Sequence, residues 1–395
     1  MDLAWNGFRK KRSGSKLFEH FEPELLAAVK MFHESVPGYD ETPLIHLENL
    51  AESIGVGNIY VKDESKRFGL NAFKGLGGIH AVAEYFRNHE GMEFDGFDGL
   101  LSALESRPPV TFATATDGNH GKGLAWAASL LGQEAKVFMP EGSEDSRLEA
   151  IQELGAEAEI MNLNYDDTVE RVAALSDENG WVLVQDTAWP GYEEIPLSIV
   201  AGYTTIIKEV QSQLGKNDFH GITHVFLQAG VGSFAGAMAA ALFNLTGGEG
   251  PTIIVVEPDQ ADCFHRSIQY PSGNPQRVTG PLDTMMDGLA CGEPSIQGWE
   301  ILKASADAFI SCGDETSARG MRLLGRPEGA DESIVSGESG AAPFGAFHRL
   351  MTEEEYQEER QRLGLDENSN VLFISTEGDT DPANYERVMS GSHEY

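Results

Sequence analysis

Basic residues are scarce in this chain of 395 residues: 28 Lys and Arg stand against 63 Asp and Glu, a formal net charge of −35. A surface so negative repels phosphate backbones and anionic headgroups, which argues against nucleic acid or an acidic membrane as a partner. Cysteine is rarer still, at three residues, so a disulfide framework is not expected and a reducing compartment is. No run of 18 or more apolar residues occurs, and no segment is built to span a bilayer. The opening Met1-Asp2-Leu3-Ala4-Trp5-Asn6 lacks the charged-then-apolar layout of a secretory signal, and the expectation is a cytoplasmic protein. The histidines show no metal-ligand spacing, so no metal site is expected. The acids are spread along helical segments, as in Glu141-Gly142-Ser143-Glu144-Asp145 and Glu353-Glu354-Glu355, and are not gathered in a tail. Self-repulsion on this scale weakens a fold in dilute buffer and is relieved by counter-ions, which points to a host with a salt-rich cytoplasm.

The apolar content, 41%, is ordinary for a globular protein, and the length allows two α/β domains. Residues 1–40 read as an arm carrying one helix around Pro23 to Phe32, and a strand at 58–64 follows. Residues 90–110 hold Gly91, Gly96, Gly99 and Pro108-Pro109, which suit an exposed loop or an irregular insertion. From Thr111 onward, short apolar strands alternate with helices of ten or more residues. That alternation predicts parallel sheets covered on both faces. The boundaries read as 1–79 for the first part of a large domain, 80–193 for a small inserted domain, and 194–395 for the second part of the large one.

Three motifs carry chemistry. Asn71-Ala72-Phe73-Lys74-Gly75-Leu76-Gly77-Gly78 places one lysine at the mouth of a helix among glycines. Such a lysine is either a solvated charge or, when buried, an amine that forms imines with carbonyl cofactors. Thr116-Asp117-Gly118-Asn119-His120-Gly121 ends a strand, where parallel sheets seat ligands. Asn119 can donate to an oxyanion and Asp117 can act as a base; the plain alternative is a capped turn. Gln228-Ala229-Gly230-Val231-Gly232-Ser233 joins a strand to an alanine-rich helix. Its amides and Ser233 suit a phosphate on a helix N-terminus. It lacks the third glycine of a dinucleotide fingerprint and the Lys-Ser/Thr of a P-loop.

In this order the three motifs resemble the fold type II pyridoxal-phosphate enzymes, which include the serine and threonine dehydratases and the cysteine synthases. Within that superfamily the chain is most similar to the diaminopropionate ammonia-lyase family. The closer likeness rests on Val184-Gln185-Asp186-Thr187-Ala188-Trp189, Met286-Asp287-Gly288-Leu289-Ala290-Cys291-Gly292, Ser336-Gly337-Glu338-Ser339-Gly340-Ala341-Ala342 and Ser375-Thr376-Glu377-Gly378-Asp379-Thr380-Asp381. The resemblance implies an α/β fold of two parallel-sheet domains, with pyridoxal 5′-phosphate in the cleft between them, and a homodimer. It implies that Lys74 forms the internal aldimine and that Asn119 holds the pyridine 3′ oxygen. It further implies that Gly230, Val231, Gly232 and Ser233 hold the phosphate, and that Thr376 or its neighbour Ser375 lies near the pyridine nitrogen.

The ordinary dehydratases carry a small hydroxyl residue where this chain has Asp117. Asp117 and Asp186 each end a strand of the expected small domain, and both can point into one cleft. Two carboxylates fit an amino-acid substrate with a second ammonium group. Either can also move protons; the plain alternative for Asp186 is a helix cap. The implied reaction is elimination of ammonia from 2,3-diaminopropionate, giving pyruvate and two ammonia, with Lys74 or Asp117 as base and Asp186 assisting. A serine or threonine dehydratase is the runner-up, and a non-catalytic amino-acid-binding paralogue is a reading from another class. Cys263 and Cys291 are open between a disulfide and buried thiols, Cys312 reads as core, and His120 reads as a packing partner beside the cofactor.

Overall fold

The structure is a computed structural model and describes residues 1–8, 15–116, 118–215, 219, 221–327 and 329–391. The chain forms two compact units. One comprises residues 1–25, 41–72 and 206–395, and the other residues 26–40 and 73–205. The strands in chain order are β1 (Asp2–Trp5), β2 (Leu44–His46), β3 (Asn58–Asp63), β4 (Thr111–Ala115), β5 (Glu134–Met139), β6 (Glu157–Ile160), β7 (Val182–Leu183), β8 (His224–Gln228), β9 (Thr252–Pro258), β10 (Ala308–Cys312) and β11 (Asn370–Ser375).

In the first unit seven strands make one sheet in the order β1-β10-β9-β8-β11-β3-β2. The five central strands are parallel, and only the edges β1 and β2 pair antiparallel. The central strands are buried on both faces, so they read as unbroken apolar runs such as Ile253-Ile254-Val255-Val256. Phe226 and Phe373 stack across β8 and β11 with centroids 5.5 Å apart. Phe344 and Phe347 of the helix Glu338–Thr352 pack onto them. Each buried ring contributes about 2 kcal/mol by removal of apolar area from water.

The same unit holds a buried ionic cluster. Lys62, Glu64, Arg67 and Glu209 are all fully buried. Glu209 takes Lys62 at 2.6 Å and Arg67 at 2.7 Å, and Arg67 also pairs with Glu64 at 2.9 Å. Thr42 donates its hydroxyl to Glu64 at 2.6 Å and accepts Lys62 at its carbonyl at 2.6 Å. Two cations and two anions cancel, which is the condition for burying charge at a tolerable desolvation cost.

The second unit is built on a four-stranded parallel sheet, β6-β5-β4-β7. Residues 26–40 join it through His33, whose Nε2 donates to the Leu76 carbonyl at 3.0 Å and whose Nδ1 accepts from the Thr205 hydroxyl at 2.6 Å. One expectation is corrected here. Within 90–110, the stretch Gly96–Leu104 is a helix, because Phe97, Leu100 and Leu104 recur at helical spacing and are buried. That apolar stripe outweighs the turn signal of the flanking glycines and prolines. No helix among the described residues is long and apolar enough to cross a membrane.

Candidate active site

Lys74 is placed by glycines. It immediately precedes the helix Gly75–Asn88. That helix meets the helix Asn119–Leu130 at Gly78 and Gly123. A Cβ on Gly78 would lie 2.8 Å from the Gly123 carbonyl oxygen, and a Cβ on Gly123 would lie 2.8 Å from the carbonyl of Lys74 itself. It meets the helix Glu194–Tyr203 at Gly77 and Gly202, where a Cβ on Gly202 would lie 2.7 Å from the Leu76 carbonyl. The glycines flanking the lysine therefore serve close backbone approach, and the start of this helix is held on two sides.

The carboxylate partner arrives from the far end of the small sheet. After β7 the chain continues along β4, with Val184 N–H donating to the Ala113 carbonyl at 2.8 Å. The buried Gln185 side chain then clamps it: Oε1 accepts from Thr114 Oγ1 and from the Ala115 amide, each at 3.0 Å, and Nε2 donates to Tyr165 at 3.1 Å. Tyr192 completes the clamp, donating to the Leu183 carbonyl at 2.9 Å and accepting from the Gln185 amide at 2.8 Å. The next residue is Asp186, whose Oδ2 accepts from Lys74 Nζ at 2.5 Å. Asp186 caps no helix, since the next one begins at Glu194. Burial by itself would raise the Asp186 pKa. The Lys74 ammonium, with His120 in support, more than offsets this and holds the carboxyl at about 2.

The Asn119 loop lies in the same unit. Thr116 Oγ1 accepts from the Gly118 and Gly121 amides at 3.0 and 3.3 Å, which caps the helix that Asn119 opens. Gly118 sits at φ +153°, a backbone conformation that favours glycine. His120 donates from Nε2 to the Val184 carbonyl at 2.7 Å, and its Nδ1 is 3.9 Å from Asp186 Oδ2. Asp117 lies outside the described residues.

In the other unit, β8 ends at Gln228, and Ala229–Gly232 turn the chain into the helix Ser233–Leu245. Gly232 has φ +89°, and a Cβ there would enter the Phe264 ring. A Cβ on Gly230 would lie 3.0 Å from the Gly288 carbonyl and 3.3 Å from Cys291 Sγ. A bare-backbone turn ahead of a long helix suits an anion. Cys263 and Cys312 are buried thiols outside any disulfide.

Two hydroxyls lie at the end of β11, beside the end of β8. Ser375 spends its proton locally, on Ser336 Oγ at 2.8 Å and the Glu377 carbonyl at 3.3 Å. Thr376 differs, because its oxygen accepts from Gln228 Nε2 at 2.8 Å and its own proton stays available. The Gln228 Oε1 is buried without a hydrogen-bond partner among the described residues. An open donor, an unfilled acceptor and a glycine cradle fit a phosphorylated heterocycle with an unprotonated ring nitrogen.

Tyr203 and Tyr192 are the parts of this arrangement that sequence reading missed. Nothing local marks them, since each acts through a partner brought in by packing.

Comparison with known proteins agrees with this chemistry. The pyridoxal-phosphate dependent enzyme family model matches residues 36–377. The diaminopropionate ammonia-lyase of Salmonella typhimurium is 46% identical over 366 residues, covering 91% of each chain. That of Escherichia coli K12 is 45% identical over 398 residues, covering all of this chain and 97% of its own. The crystal structure of the E. coli enzyme in complex with an aminoacrylate-PLP azomethine reaction intermediate superposes with a TM-score of 0.88 at 43% identity, over 99% of this chain and 97% of that one. The chain thus belongs to the pyridoxal-phosphate-dependent enzymes of fold type II, in the diaminopropionate ammonia-lyase branch.

Proposed function

We propose that this chain eliminates ammonia from 2,3-diaminopropionate, yielding pyruvate and two ammonia, with Lys74 as the reactive amine and Asp186 as the residue that selects the diamino substrate. The pairing of the half-buried Lys74 with the buried Asp186 carries the reading. Pyridoxal phosphate, when bound, supplies the carbonyl that a lysine amine engages and the electron sink that acidifies the substrate α-carbon. The amides of Gly230, Val231 and Gly232 with Ser233 would hold its phosphate, Asn119 its ring oxygen, and Thr376, rather than Ser375, would donate to its ring nitrogen.

The remaining work falls to side chains. Asp186 is ionised at neutral pH and accepts hydrogen bonds from the second ammonium of the substrate. An ammonium held there departs as neutral ammonia when its C–N bond breaks. Lys74, or Asp117, takes the α-proton. The released enamine hydrolyses in water to pyruvate and the second ammonia.

This electrostatic setting disfavours the dehydratase alternative. A hydroxyl leaving group needs an acid to protonate it, whereas Asp186 stands here as a carboxylate paired with an ammonium, a setting that suits a second substrate ammonium better than a hydroxyl. The intact lysine and glycine loop speak against a mere binding protein. We further propose that the enzyme works as a cytoplasmic homodimer in a salt-rich cell, on the strength of the −35 charge and the family likeness.

The test is turnover in molar potassium chloride with D- and L-2,3-diaminopropionate, serine and threonine offered separately. Pyruvate and ammonia in a one-to-two ratio from the diamino acid, with little product from serine, is the expected result. Faster turnover of serine or threonine overturns the assignment of Asp186. Equal stability with and without salt removes the salt-rich host, and a monomeric mass by sedimentation removes the dimer.

A further inference from the structure

Tyr203 ends the helix Glu194–Tyr203 and is fully buried. Its ring packs on Phe73 with centroids 4.6 Å apart, and on Gly77, where a Cβ would come within 2.5 Å of Cε1. Lys74 Nζ lies 5.9 Å from the centre of this ring and 5.4 Å from that of Phe73. The Tyr203 hydroxyl has no hydrogen-bond partner among the described residues. Leaving such a group unmatched costs on the order of 1–3 kcal/mol. The phenol lies within reach of the Lys74 amine without a well-formed hydrogen bond to it, so this donor is open to a partner there.

The groups around Lys74 show which partner that is. Asp186 follows β7 and holds the ammonium form. His120, on the helix Asn119–Leu130, stands behind Asp186 at 3.9 Å. Asp117 lies outside the described residues. A carboxylate suits an ammonium but offers no proton to a neutral amine, whose lone pair needs a donor. Tyr203 is the neighbouring hydroxyl able to give one. Burial drives its pKa far above the usual range, with Lys74 pulling the other way, so the phenol keeps its proton at working pH.

We propose that Tyr203 is a positioning residue for Lys74: its O–H donates to the Nζ lone pair whenever the lysine is a neutral amine, and so aims that lone pair. The inference rests on the reading of Lys74 as the reactive amine. In outline, Asp186 exchanges the Lys74 ammonium for that of the substrate, and Tyr203 takes up the amine that Asp186 releases. Serine has no second ammonium to drive this exchange, so the same pair of residues contributes to substrate choice.

The experiment is reductive methylation of the cofactor-free protein across pH, with the Lys74 peptide quantified by mass spectrometry in wild type and Tyr203→Phe. Loss of the donor disfavours the neutral amine, so the pH of half-labelling rises by about one unit, or about tenfold less labelling at a fixed pH on the rising limb. A purely structural role leaves the profile unmoved. An unchanged or downward-shifted profile overturns the proposal. If Tyr203→Phe does not fold, Tyr203→Met, which also lacks the hydroxyl, decides by the same criterion. A parallel sample treated with pyridoxal phosphate and borohydride separates the two readings. Cofactor fixed on the Lys74 peptide with an unshifted profile rejects the Tyr203 role alone, whereas cofactor fixed elsewhere rejects Lys74 as the reactive amine.

Discussion

Gln228 Nε2 donates to Thr376 Oγ1 at 2.8 Å and to the Ile374 carbonyl at 3.0 Å, which ties the end of β8 to the end of β11 and leaves the threonine proton to be given elsewhere. If that proton meets the ring nitrogen of the cofactor, Thr376→Val loses one hydrogen bond worth about 1.5 kcal/mol, or roughly tenfold in affinity. Absorbance titration of the cofactor-free protein with pyridoxal phosphate measures it. Thr376→Ser is expected to recover most of the loss. Wild-type affinity in the valine variant assigns the donor elsewhere.

Asp186→Asn keeps the shape of the side chain and removes its charge. With diaminopropionate kcat/KM is expected to fall by about a hundredfold or more, since a buried charge-assisted contact is worth about 3 kcal/mol. Serine, which brings no second ammonium, is expected to lose much less. Steady-state kinetics on the two substrates give the ratio, and equal losses on both remove the specificity role.

Gly123→Ala is expected to be far more costly than an alanine at an open glycine. Its Cβ would lie 2.8 Å from the carbonyl carbon and oxygen of Lys74, which are backbone and cannot rotate away. Separating the two helices costs about 1–3 kcal/mol and displaces the lysine. Gly221 has nothing within 4 Å of its Cβ and serves as the control. Thermal unfolding reads the stability, and borohydride fixation of the cofactor reads the lysine.

Acid should destabilise the fold through two carboxyls. Burial would raise the Glu209 pKa, but Arg67 and Lys62 overcome it and bring it from 4.5 to about 2. Asp186 falls from 3.8 to about 2. Both are depressed in the folded state, so the unfolded chain binds their protons first. Their stabilisation is complete above about pH 4.5 and is lost as pH falls toward 2. Urea midpoints measured against pH should drop most steeply in that window. Glu209→Gln leaves Lys62 and Arg67 short of an anion, costs about 3–5 kcal/mol, and removes about one proton from the acid slope. An unchanged slope returns the acid transition to other groups.

Much of the architecture was legible in the sequence because parallel strands buried on both faces leave unbroken apolar runs, as at Ile253 to Val256 and Val371 to Ile374. The helix at Gly96–Leu104 was not, because a short apolar stripe among glycines and prolines reads locally as loop until its buried face finds a partner. The glycines after Lys74 were visible as a pattern, but that Gly78 answers Gly123, and Gly77 answers Gly202 and Tyr203, is a fact of packing.

By itself, the sequence determined the cofactor class, the branch of the family and the acidic surface, since each is written in residue types and short spacings that local backbone geometry enforces. Tertiary structure alone decided that Lys74 meets Asp186, that Ser375 spends its proton locally while Thr376 keeps one to give, and that Tyr203 stands unmatched beside the lysine. Those relations join residues far apart along the chain. Their geometry depends on how helices and strands close long loops and pack, and no local period or motif records it.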